Sequence, residues 1–335
     1  MPRPLLRSAA LVAATLTTAG ALAACGSGDD GSAADAPSSS TGGGSGAFPV
    51  TVSTAFGDVE VPEEPQRVVA LGWSDAETAL ALGVQPVGAS DWLAFGGEGV
   101  GPWAEGRYDE APEIVETLEP SLEAVAALEP DLILDTRSPA TEERYEALSA
   151  IAPTIGQPEG VDAYLTTWQQ QLDLVGQALG RTEEAEQLRS DLEQRIADAA
   201  AANPGFDGTE VAVGAYSSEG FGAYVRGDTR VDFMESLGFT NKQAVQDLAT
   251  ESFFVPVSDE QVALLDAPLT VVFPIFVEPS QITGNPLWQT LGSVQQGNAV
   301  LLDETLANAF SSGSVLGTGY ALDNAVPLFA EALQG

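Results

Sequence analysis

The sequence predicts an α/β protein with two similar lobes, each built on a parallel-type sheet, joined by a long rigid helix. Three observations support this fold. Residues 121–135 return 137 positions later as residues 258–272, short apolar runs follow helical patterns in both halves, and a 21-residue helical pattern lies between the halves. A length of 335 residues also allows two domains of about 150 residues each. We place the lobes at residues 48–160 and 205–335, and the connecting helices at residues 161–204.

Each copy of the repeat predicts a short helix followed by a buried strand. Ser121 and Ser258 can cap the helices by accepting N–H groups of the first turn, and Glu123 and Glu260 suit the positive helix end. Apolar residues then recur at helical spacing until a proline ends each helix. The runs LIL and TVV that follow are typical of strands in a parallel sheet covered on both faces.

The first residues have the layout of an export signal. Arg3 and Arg7 precede a run of small apolar residues that is too short for a settled transmembrane span. The run ends in the sequence LAAC, so that the predicted signal covers residues 1–24 and is followed directly by Cys25. The alternative is a plain signal peptide with an incidental cysteine. Cys25 is the only cysteine, so no intramolecular disulfide can form. Residues 26–46 are rich in Gly, Ser and Asp, which predicts a flexible tether with a reach of roughly 25 Å. Cys25 and this tether form a linker over residues 25–47.

The first lobe is predicted to begin with a hairpin over residues 50–61, with Gly57-Asp58 at its centre. Residues 67–71 and 86–90 predict buried strands. Between them, residues 74–82 predict a helix capped by Ser74 and ended by Gly83. Residues 91–109 form a glycine-rich loop that carries several aromatic side chains.

Residues 161–179 and 182–202 are the longest helical patterns, and the second has one apolar stripe. At 1.5 Å per residue it spans about 30 Å, enough to connect two lobes. In the second lobe, residues 210–216, 223–226, 269–276 and 299–302 predict strands. Residues 230–237, 286–291 and 321–333 predict helices, and residues 310–320 a glycine and serine loop.

Aromatic and cationic side chains follow several predicted strands. Trp73, Trp92 and Arg137 each come after a strand end, where ligands bind in doubly wound sheets. Two alternatives stay open: the tryptophans pack the lobes together, and Arg137 pairs with Asp135. Candidates for lining a ligand cleft between the lobes, chosen by position at strand ends or in nearby loops, are Trp73, Trp92, Trp103, Arg107, Arg137, Tyr216, Tyr224, Arg226, Phe276, Trp288 and Phe310.

Composition excludes several classes of function. The formal charge of −37, from 49 acidic and 12 basic residues, would repel nucleic acid and anionic lipid. The chain has no histidine, so Ser-His-Asp triads, Cys-His nucleophiles and histidine-bound zinc sites cannot exist. No phosphate-binding Gly-x-x-x-x-Gly-Lys loop occurs, and Lys242 is the single lysine. Paired carboxylates for glycosidase chemistry remain possible, although 49 acidic residues produce such pairs by chance.

From about Phe48 onward, the chain resembles the substrate-binding lipoproteins of bacterial ABC importers for iron-siderophores and cobalamin. The resemblance rests on seven segments, each of which is a weak indication by itself, whereas their occurrence together in this order is specific. They are RVVAL, DAETALALGVQPVG, LEPSLEAVAALEPDLIL, the long central helix, FMESLGFTN, VSDEQVALLDAPLTVV and PLWQTLGSVQQGNAVLLD. The LAAC box before Gly26 likewise resembles a lipoprotein cleavage site, which implies that Cys25 becomes the lipidated first residue.

The resemblance implies two α/β lobes, a rigid linking helix, and a shallow ligand cleft between the lobes. It implies a monomeric, non-enzymatic protein, anchored by lipid to the outer face of the cytoplasmic membrane. Its ligand would be a ferric siderophore, of hydroxamate type by our preference, with iron held only through the siderophore and no cofactor or metal site of its own. Glu123 and Glu260 match the family glutamates that dock an importer permease dimer.

Other functions remain open within and outside this class. Cobalamin and haem are competing ligands of the same importer class, and a lipid-anchored carbohydrate-active enzyme is a further alternative. Similar zinc and manganese binders depend largely on histidine ligands, which this chain lacks.

Overall fold

The computed structural model describes residues 48–250 and 252–334. These residues begin with an antiparallel hairpin of two strands, β1 (Val50–Thr54) and β2 (Gly57–Val61). Thr54 pairs with Gly57, so Ala55 and Phe56 form the turn. The predicted hairpin is confirmed, but its turn lies before the expected Gly57-Asp58 centre. Gly57 instead starts the second strand, and its φ of 108° is one that side-chain-bearing residues rarely adopt.

The first lobe contains a five-stranded sheet in which all neighbours are parallel. Its elements are β3 (Val68–Ala70), α1 (Asp75–Ala81), β4 (Gly88–Ser90), β5 (Glu113–Val115), α2 (Leu122–Ala127), β6 (Leu132–Leu134), α3 (Glu142–Ser149) and β7 (Thr154–Ile155). The strand order is β5-β4-β3-β6-β7. The strands predicted at residues 67–71 and 86–90 are confirmed. The edge strands β5 and β7 were not predicted, because strands of two or three residues are too short to show the alternation of apolar and polar residues.

Two helices lead from the first lobe to the second, α4 (Trp168–Ala178) and α5 (Thr182–Ala202). The bounds of α5 are those predicted. The predicted helix over residues 161–179 begins only at Trp168, because Thr167 and Gln170 form a capping box that starts it.

The second lobe contains a six-stranded mixed sheet with the order β11-β9-β8-β12-β13, and β10 beside β8. Its elements are β8 (Glu210–Ser217), β9 (Gly220–Tyr224), α6 (Thr229–Ser236), β10 (Thr240–Asn241), α7 (Gln243–Gln246), β11 (Phe254–Val257), a 3₁₀ helix (Asp259–Leu265), β12 (Leu269–Pro274), α8 (Pro279–Thr283), a 3₁₀ helix (Trp288–Thr290), α9 (Gly292–Gln296) and β13 (Ala299–Leu301). Strands β8, β12 and β13 are parallel, as predicted. The two-residue strand β10, which no sequence pattern predicts, is parallel to β8. Strand β9 runs antiparallel to β8, because only two residues join the two strands and a parallel crossover needs a dozen or more. Strand β11 is antiparallel to β9 and so runs in the same direction as β8.

Two helices, α10 (Glu304–Ser312) and α11 (Val315–Ala332), close the chain. The prediction of a loop over residues 310–320 is therefore wrong. Ser314 caps α11 by accepting the N–H of Gly317 at 2.9 Å. Glycine content suggested a loop, but a Cβ at Gly319 would lie 3.1 Å from Nη1 of Arg195 on α5. This glycine serves a close contact between two helices.

The two copies of the repeat adopt different helices. Ser121 accepts the N–H of Ala124 at 3.3 Å and caps α2, as predicted. Ser258 does not cap its helix, because its hydroxyl is bonded to Gln261 Oε1 at 2.8 Å. Lys242 Nζ donates to the carbonyl oxygens of Ala263 and Asp266. These contacts accompany the tighter 3₁₀ winding of the second copy.

The largest apolar cluster among the described residues runs through the connecting helices into both lobes. It includes Val68 and Leu132 of the first sheet, Leu172 of α4, Leu192 of α5 and Val213 of the second sheet, each at most 2% exposed. Helix α11 also contacts α1 and α4 on one side and α10 on the other. The lobes are therefore held by continuous packing as well as by the chain. Within the described part of the chain, no helix is both long and apolar enough to span a bilayer.

Candidate functional site

A stack of aromatic rings forms the first-lobe wall of a cleft. Trp73 follows β3 and Trp92 follows β4, and their rings stack with centroids 4.2 Å apart and planes 7° apart. The ring of Tyr164 lies on the other side of Trp73, with centroids 4.4 Å apart. Trp92 Nε1 donates to Ser74 Oγ at 3.3 Å, which holds the outer ring in place. These contacts fix the rings of the wall relative to one another.

Arg137, which follows β6, lies against this stack. Its guanidinium carbon is 5.5 Å from the ring centroid of Trp73 and 5.8 Å from that of Trp92, within the range of a cation–π attraction. Nε donates to the carbonyl oxygen of Tyr164 and Nη1 to that of Ser312, each at 2.9 Å. Burial lowers the pKa of Arg137 to about 10, so the side chain stays charged at neutral pH.

The alternative that Arg137 pairs with Asp135 is wrong. Asp135 forms an ion pair with Arg144, whose Nη2 lies 2.8 Å from Oδ1. Arg137 is only 2% exposed and its bonds go to backbone carbonyls, one of them in the second lobe. Its place is beneath the aromatic wall, where it supports the rings and fixes their distance from the second lobe.

Ser74 belongs to the same interlobe contact. The prediction that it caps α1 is wrong, because its backbone has a positive φ of 64° and its hydroxyl makes no cap bond. The hydroxyl donates instead to the carbonyl oxygen of Ser312 at 2.6 Å. Nearby, Ser314 Oγ donates to the carboxylate of Glu77. Two helices from different lobes are thus joined by direct hydrogen bonds.

A buried carboxylate supports the wall from below. Asp75 is fully buried and accepts bonds from Thr136 N at 3.0 Å and Gln171 Nε2 at 2.7 Å. The same Gln171 nitrogen donates to the carbonyl oxygen of Trp73 at 2.9 Å. Burial raises the pKa of Asp75 to about 6. Asp75 therefore positions Trp73 but is poorly solvated when ionised.

We expect Asp75 to make folding stability depend on pH. Its folded pKa of about 6 lies above its ordinary value of 3.8, so the folded state takes up a proton first as pH falls. Stability should rise between pH 7.5 and 4.5, by about 2 kcal/mol from this group. Asp75→Asn removes the titration and should remove that part of the pH dependence.

Urea unfolding of both proteins at the two pH values measures this difference. Glu105→Gln, a change at an exposed acid, is the control and should keep the wild-type pH dependence. Parallel pH profiles for the wild type and Asp75→Asn would contradict the assignment.

The second-lobe wall is centred on Arg230, in the first turn of α6. Its Nη1 forms an ion pair with Asp228 Oδ2 at 2.8 Å, and its Nε donates to Ser311 Oγ at 2.9 Å. The guanidinium carbon lies 4.3 Å from the ring centroid of Tyr224 and 5.6 Å from that of Phe273. Burial alone would lower the pKa of Arg230, but Asp228 and Tyr224 raise it overall, so the cation is stable at the cleft.

Phe276 stands at the edge of this wall, just after β12. Its side chain is 88% exposed and its backbone φ is 52°. A bulky residue with positive φ is strained, and such strain tends to occur at binding sites. Ser74 and Tyr164, on the opposite wall, also have positive φ. The exposed ring contributes little to the core and is available for contact.

These walls enclose a cavity of about 640 Å³, within the range of roughly 300–1,000 Å³ usual for small-molecule sites. Its lining residues come from both lobes and are Trp73, Trp92, Leu93, Arg230, Phe273, Pro274, Ile275, Phe276, Val277, Glu278, Pro279, Gln281, Glu304, Asn308 and Ser311. One cation and two carboxylates are among them. The arrangement suits a ligand with apolar faces and hydrogen-bond acceptors.

Of the eleven candidates named from sequence, Trp73, Trp92 and Phe276 line the cavity, and Arg137 lies directly behind the first wall. Tyr224 is 3% exposed and lies behind Arg230.

Three other candidates are held elsewhere in the second lobe. Trp288 is 4% exposed in the apolar core around Phe221, and Tyr216 packs against the same Phe221 at 4.6 Å. Phe310 is 2% exposed inside the main apolar cluster, because its segment is helical. None of these three lines the cavity.

The remaining candidates lie at other surfaces. Arg226 pairs with Glu235 at 2.6 Å, and Arg107 is exposed in its loop. Trp103 packs between Phe95 and Tyr320, at centroid distances of 5.6 and 5.5 Å.

Sequence reasoning missed Arg230 and Tyr164. The sequence pattern predicts a strand over residues 223–226, which makes Arg226 the strand-end cation, whereas β9 ends at Tyr224. The missed signal is Asp228, which caps α6 by accepting the N–H of Arg230 at 3.0 Å. An acidic cap followed two residues later by arginine predicts a cation held at a helix start. Tyr164 lies in an irregular segment, and no pattern points to it.

Glu123 and Glu260 are exposed, in the first turns of α2 and of the 3₁₀ helix Asp259–Leu265. They are not among the cavity-lining residues. Glu123 lies in sequence beside apolar side chains that are unusually exposed, Leu118 at 64% and Leu122 at 43%. Cys25 and the predicted signal lie outside the described residues. The described part of the chain contains no cluster of three or more His, Cys, Asp or Glu residues placed to hold a metal ion.

Comparison with known proteins agrees with this architecture. A family model described as periplasmic binding protein matches residues 68–306. A probable siderophore-binding lipoprotein of Bacillus subtilis, YfiY, is 27% identical over 329 residues, covering 90% of this chain and 92% of its own. The Fe(3+) dicitrate-binding periplasmic protein FecB of Escherichia coli is 27% identical over 77% of this chain and 83% of its own.

The solved structure of a periplasmic solute binding protein from Mycobacterium smegmatis has a TM-score of 0.74 and 29% identity. It covers 85% of this chain and 98% of its own. The PiaA protein of Streptococcus pneumoniae in complex with ferrichrome has a TM-score of 0.72 over 85% of this chain and 99% of its own. At 24% identity, that likeness concerns the fold.

Proposed function

Because the chain belongs to the periplasmic binding protein family, we propose that it captures a ferric siderophore outside the cytoplasmic membrane and delivers it to an ABC importer. One observation carries the proposal: a stacked aromatic wall and an arginine held by Asp228 and Ser311 face one another across a cavity lined by both lobes. The siderophore and ferric dicitrate ligands of the two relatives support it.

The side chains suggest how such a ligand is held. The edge of Trp73 and the ring of Phe276 pack against the apolar parts of the siderophore, while Arg230 donates hydrogen bonds to the oxygen atoms around the iron. Iron stays coordinated by the siderophore, which is the cargo. The ligand is bound and released unchanged, as is usual for a solute-binding family, and the protein acts as a monomer without a cofactor.

The charge of the cleft favours a hydroxamate complex. Arg230 is accompanied on the lining by Glu278 and Glu304, and the chain carries a formal charge of −37. A tris-catecholate complex carries three negative charges and would be repelled during approach, whereas a neutral or cationic hydroxamate complex would not. Citrate complexes are the main competitors, given the dicitrate-binding relative.

Fluorescence titration of the purified protein tests the function. A coloured ferric complex next to Trp73 and Trp92 should quench their emission, with a Kd of about 1 μM or tighter, near −8 kcal/mol. The panel contains ferric hydroxamate, catecholate and citrate complexes, with the iron-free siderophores as controls. Competition at two salt concentrations ranks them, and hydroxamate should win in low salt. If none of the three classes of ferric complex quenches the fluorescence and cobalamin binds to saturation, the proposed ligand is wrong and cobalamin takes its place.

We propose that Cys25 anchors the protein to the membrane through lipid. Cys25→Ala should abolish lipid attachment and membrane retention and leave siderophore affinity unchanged, because the cysteine precedes the first strand, Val50–Thr54, in a stretch of sequence rich in Gly, Ser and Asp. Membrane fractionation and metabolic labelling with a fatty acid measure the two effects. Mature protein that remains in the membrane fraction after this change would refute the anchor.

A further inference from the structure

A second cavity lies between the connecting helices and the second lobe. It has a volume of about 310 Å³ and is bounded by Trp168 at the start of α4, Glu193 and Ile196 of α5, and Asp232 and Phe233 of α6. We call it the α4–α6 pocket. Thr229 also lines it, whereas the next residue, Arg230, lines the cleft. The first turn of α6 therefore separates the two cavities, which share no lining residue.

The chemistry of this pocket comes from a carboxylate with one free oxygen. Asp232 Oδ1 accepts the N–H of Gly227 at 3.0 Å. Oδ2 has no hydrogen-bond partner, and the carboxylate no ion pair, among residues 48–250 and 252–334. Glu193, on the facing helix, already pairs with Arg189 at 3.1 Å. Asp232 is thus a half-buried carboxylate of the pocket with which no cationic side chain of the described residues forms an ion pair.

The surroundings of Asp232 disfavour its ionised form, so a nearby cation would stabilise it. Burial raises its pKa to about 6, and Asp228 and Glu235 raise it further. Arg137 and the Gly227 N–H act in the opposite direction, without neutralising the group. The walls beside it are the half-buried indole of Trp168, Ile196 and the ring of Phe233. An aromatic and apolar pocket with a carboxylate at one end matches an organic ammonium ion with an apolar body.

We propose that the α4–α6 pocket binds a small organic cation, an amine whose ammonium group pairs with Asp232 and whose apolar body packs between Trp168 and Phe233. The site is independent of the siderophore cleft. Helix α4 packs against α1 and β1 of the first lobe, whereas α6 packs against β8 and α10 of the second. A bound amine bridges the two packing units and stabilises the folded protein by mass action.

Calorimetry of the purified full-length protein tests the site with three probes of similar shape: 2-phenylethylamine, 2-phenylethanol and phenylacetate. The amine should bind at least ten-fold more tightly than the alcohol, and phenylacetate should not bind. Affinity for the amine should fall about ten-fold between pH 7.5 and pH 5, because Asp232 becomes protonated while the amine stays charged.

Asp232→Asn should weaken amine binding at least ten-fold and abolish its pH dependence. Glu186→Gln, a matched change at an exposed acid of α5 outside the pocket, should keep affinity within two-fold. Equal binding of amine and alcohol would overturn the proposal, as would unchanged amine affinity in a folded Asp232→Asn protein. If that variant does not fold, the pH series on the wild type decides, and a flat series refutes the site.

Discussion

Replacing Trp73 and Phe276 together with alanine should weaken ferric siderophore binding by at least one hundred-fold. The two side chains lie on opposite walls of the cavity, so the double change removes an aromatic contact from each side of the ligand. Buried aromatic contacts are common hot spots, and two of them account for about 3 kcal/mol, which corresponds to roughly a hundred-fold change in Kd. Fluorescence from Trp92 or calorimetry measures the affinity.

The single variants separate binding from folding. Phe276→Ala should leave the melting temperature unchanged, because the ring is 88% exposed. Trp73→Ala should lower it, because Trp73 packs against Trp92 and Tyr164. Trp288→Phe is the matched control for loss of an indole, and it should keep full affinity because Trp288 lies in the core. Retention of affinity within three-fold by the double variant would place the ligand elsewhere.

Replacing Glu123 and Glu260 with alanine should strongly reduce iron uptake, by at least ten-fold, while siderophore affinity stays within about two-fold. Both carboxylates are exposed, one in each lobe, so each is open to contact with a partner. Charge pairs at such a surface act through encounter rate and register. Exposed Leu118 and Leu122 near Glu123 add apolar area of the kind found at protein interfaces. Uptake of radioactive iron and pull-down with the permease dimer measure the effects.

A simpler role for the two glutamates is to complement the positive ends of their helices, worth about 0.3–1 kcal/mol each. That role predicts a lower melting temperature with normal uptake. The double variant Glu119→Ala with Asp259→Ala is the matched control, since it removes two exposed carboxylates from neighbouring positions. Loss of uptake in this control as well would show that general negative charge, rather than the two named glutamates, guides docking.

The parts of the fold predicted from sequence are those in which local pattern and tertiary packing agree. Helix α5 has an apolar stripe and a proline just after its end, and its bounds are as predicted. The prediction of a loop over residues 310–320 is wrong because only Gly313, with a φ of 63°, lies in the turn between α10 and α11. Gly319 instead lies where α11 meets Arg195 of α5, and that need for a small residue depends on the partner helix. Strand β9 escaped the parallel rule because two residues set its direction.

The site shows the same division. Position after a strand brought Trp73, Trp92 and Arg137 together, because neighbouring parallel strands end at one edge of the sheet. The positions of Arg230 and Tyr164 at the cleft depend on how α6 and an irregular segment pack in three dimensions. No periodic pattern in the sequence indicates that packing. Trp288 shows that residue type alone cannot separate a wall from a core.

The apolar packing through α4 and α5 sets how long the protein keeps its cargo. Swinging the lobes apart would bring side chains such as Leu172 and Leu192 into water, at roughly 25 cal/mol for each Å² exposed. Widely opened conformations are therefore rare, and a bound ligand has no half-empty state through which to escape. Its residence time is set by the contacts of a single conformation, so tight complexes are also slow to dissociate. Unloading then requires work from outside the molecule, which is the role that the proposed importer would have.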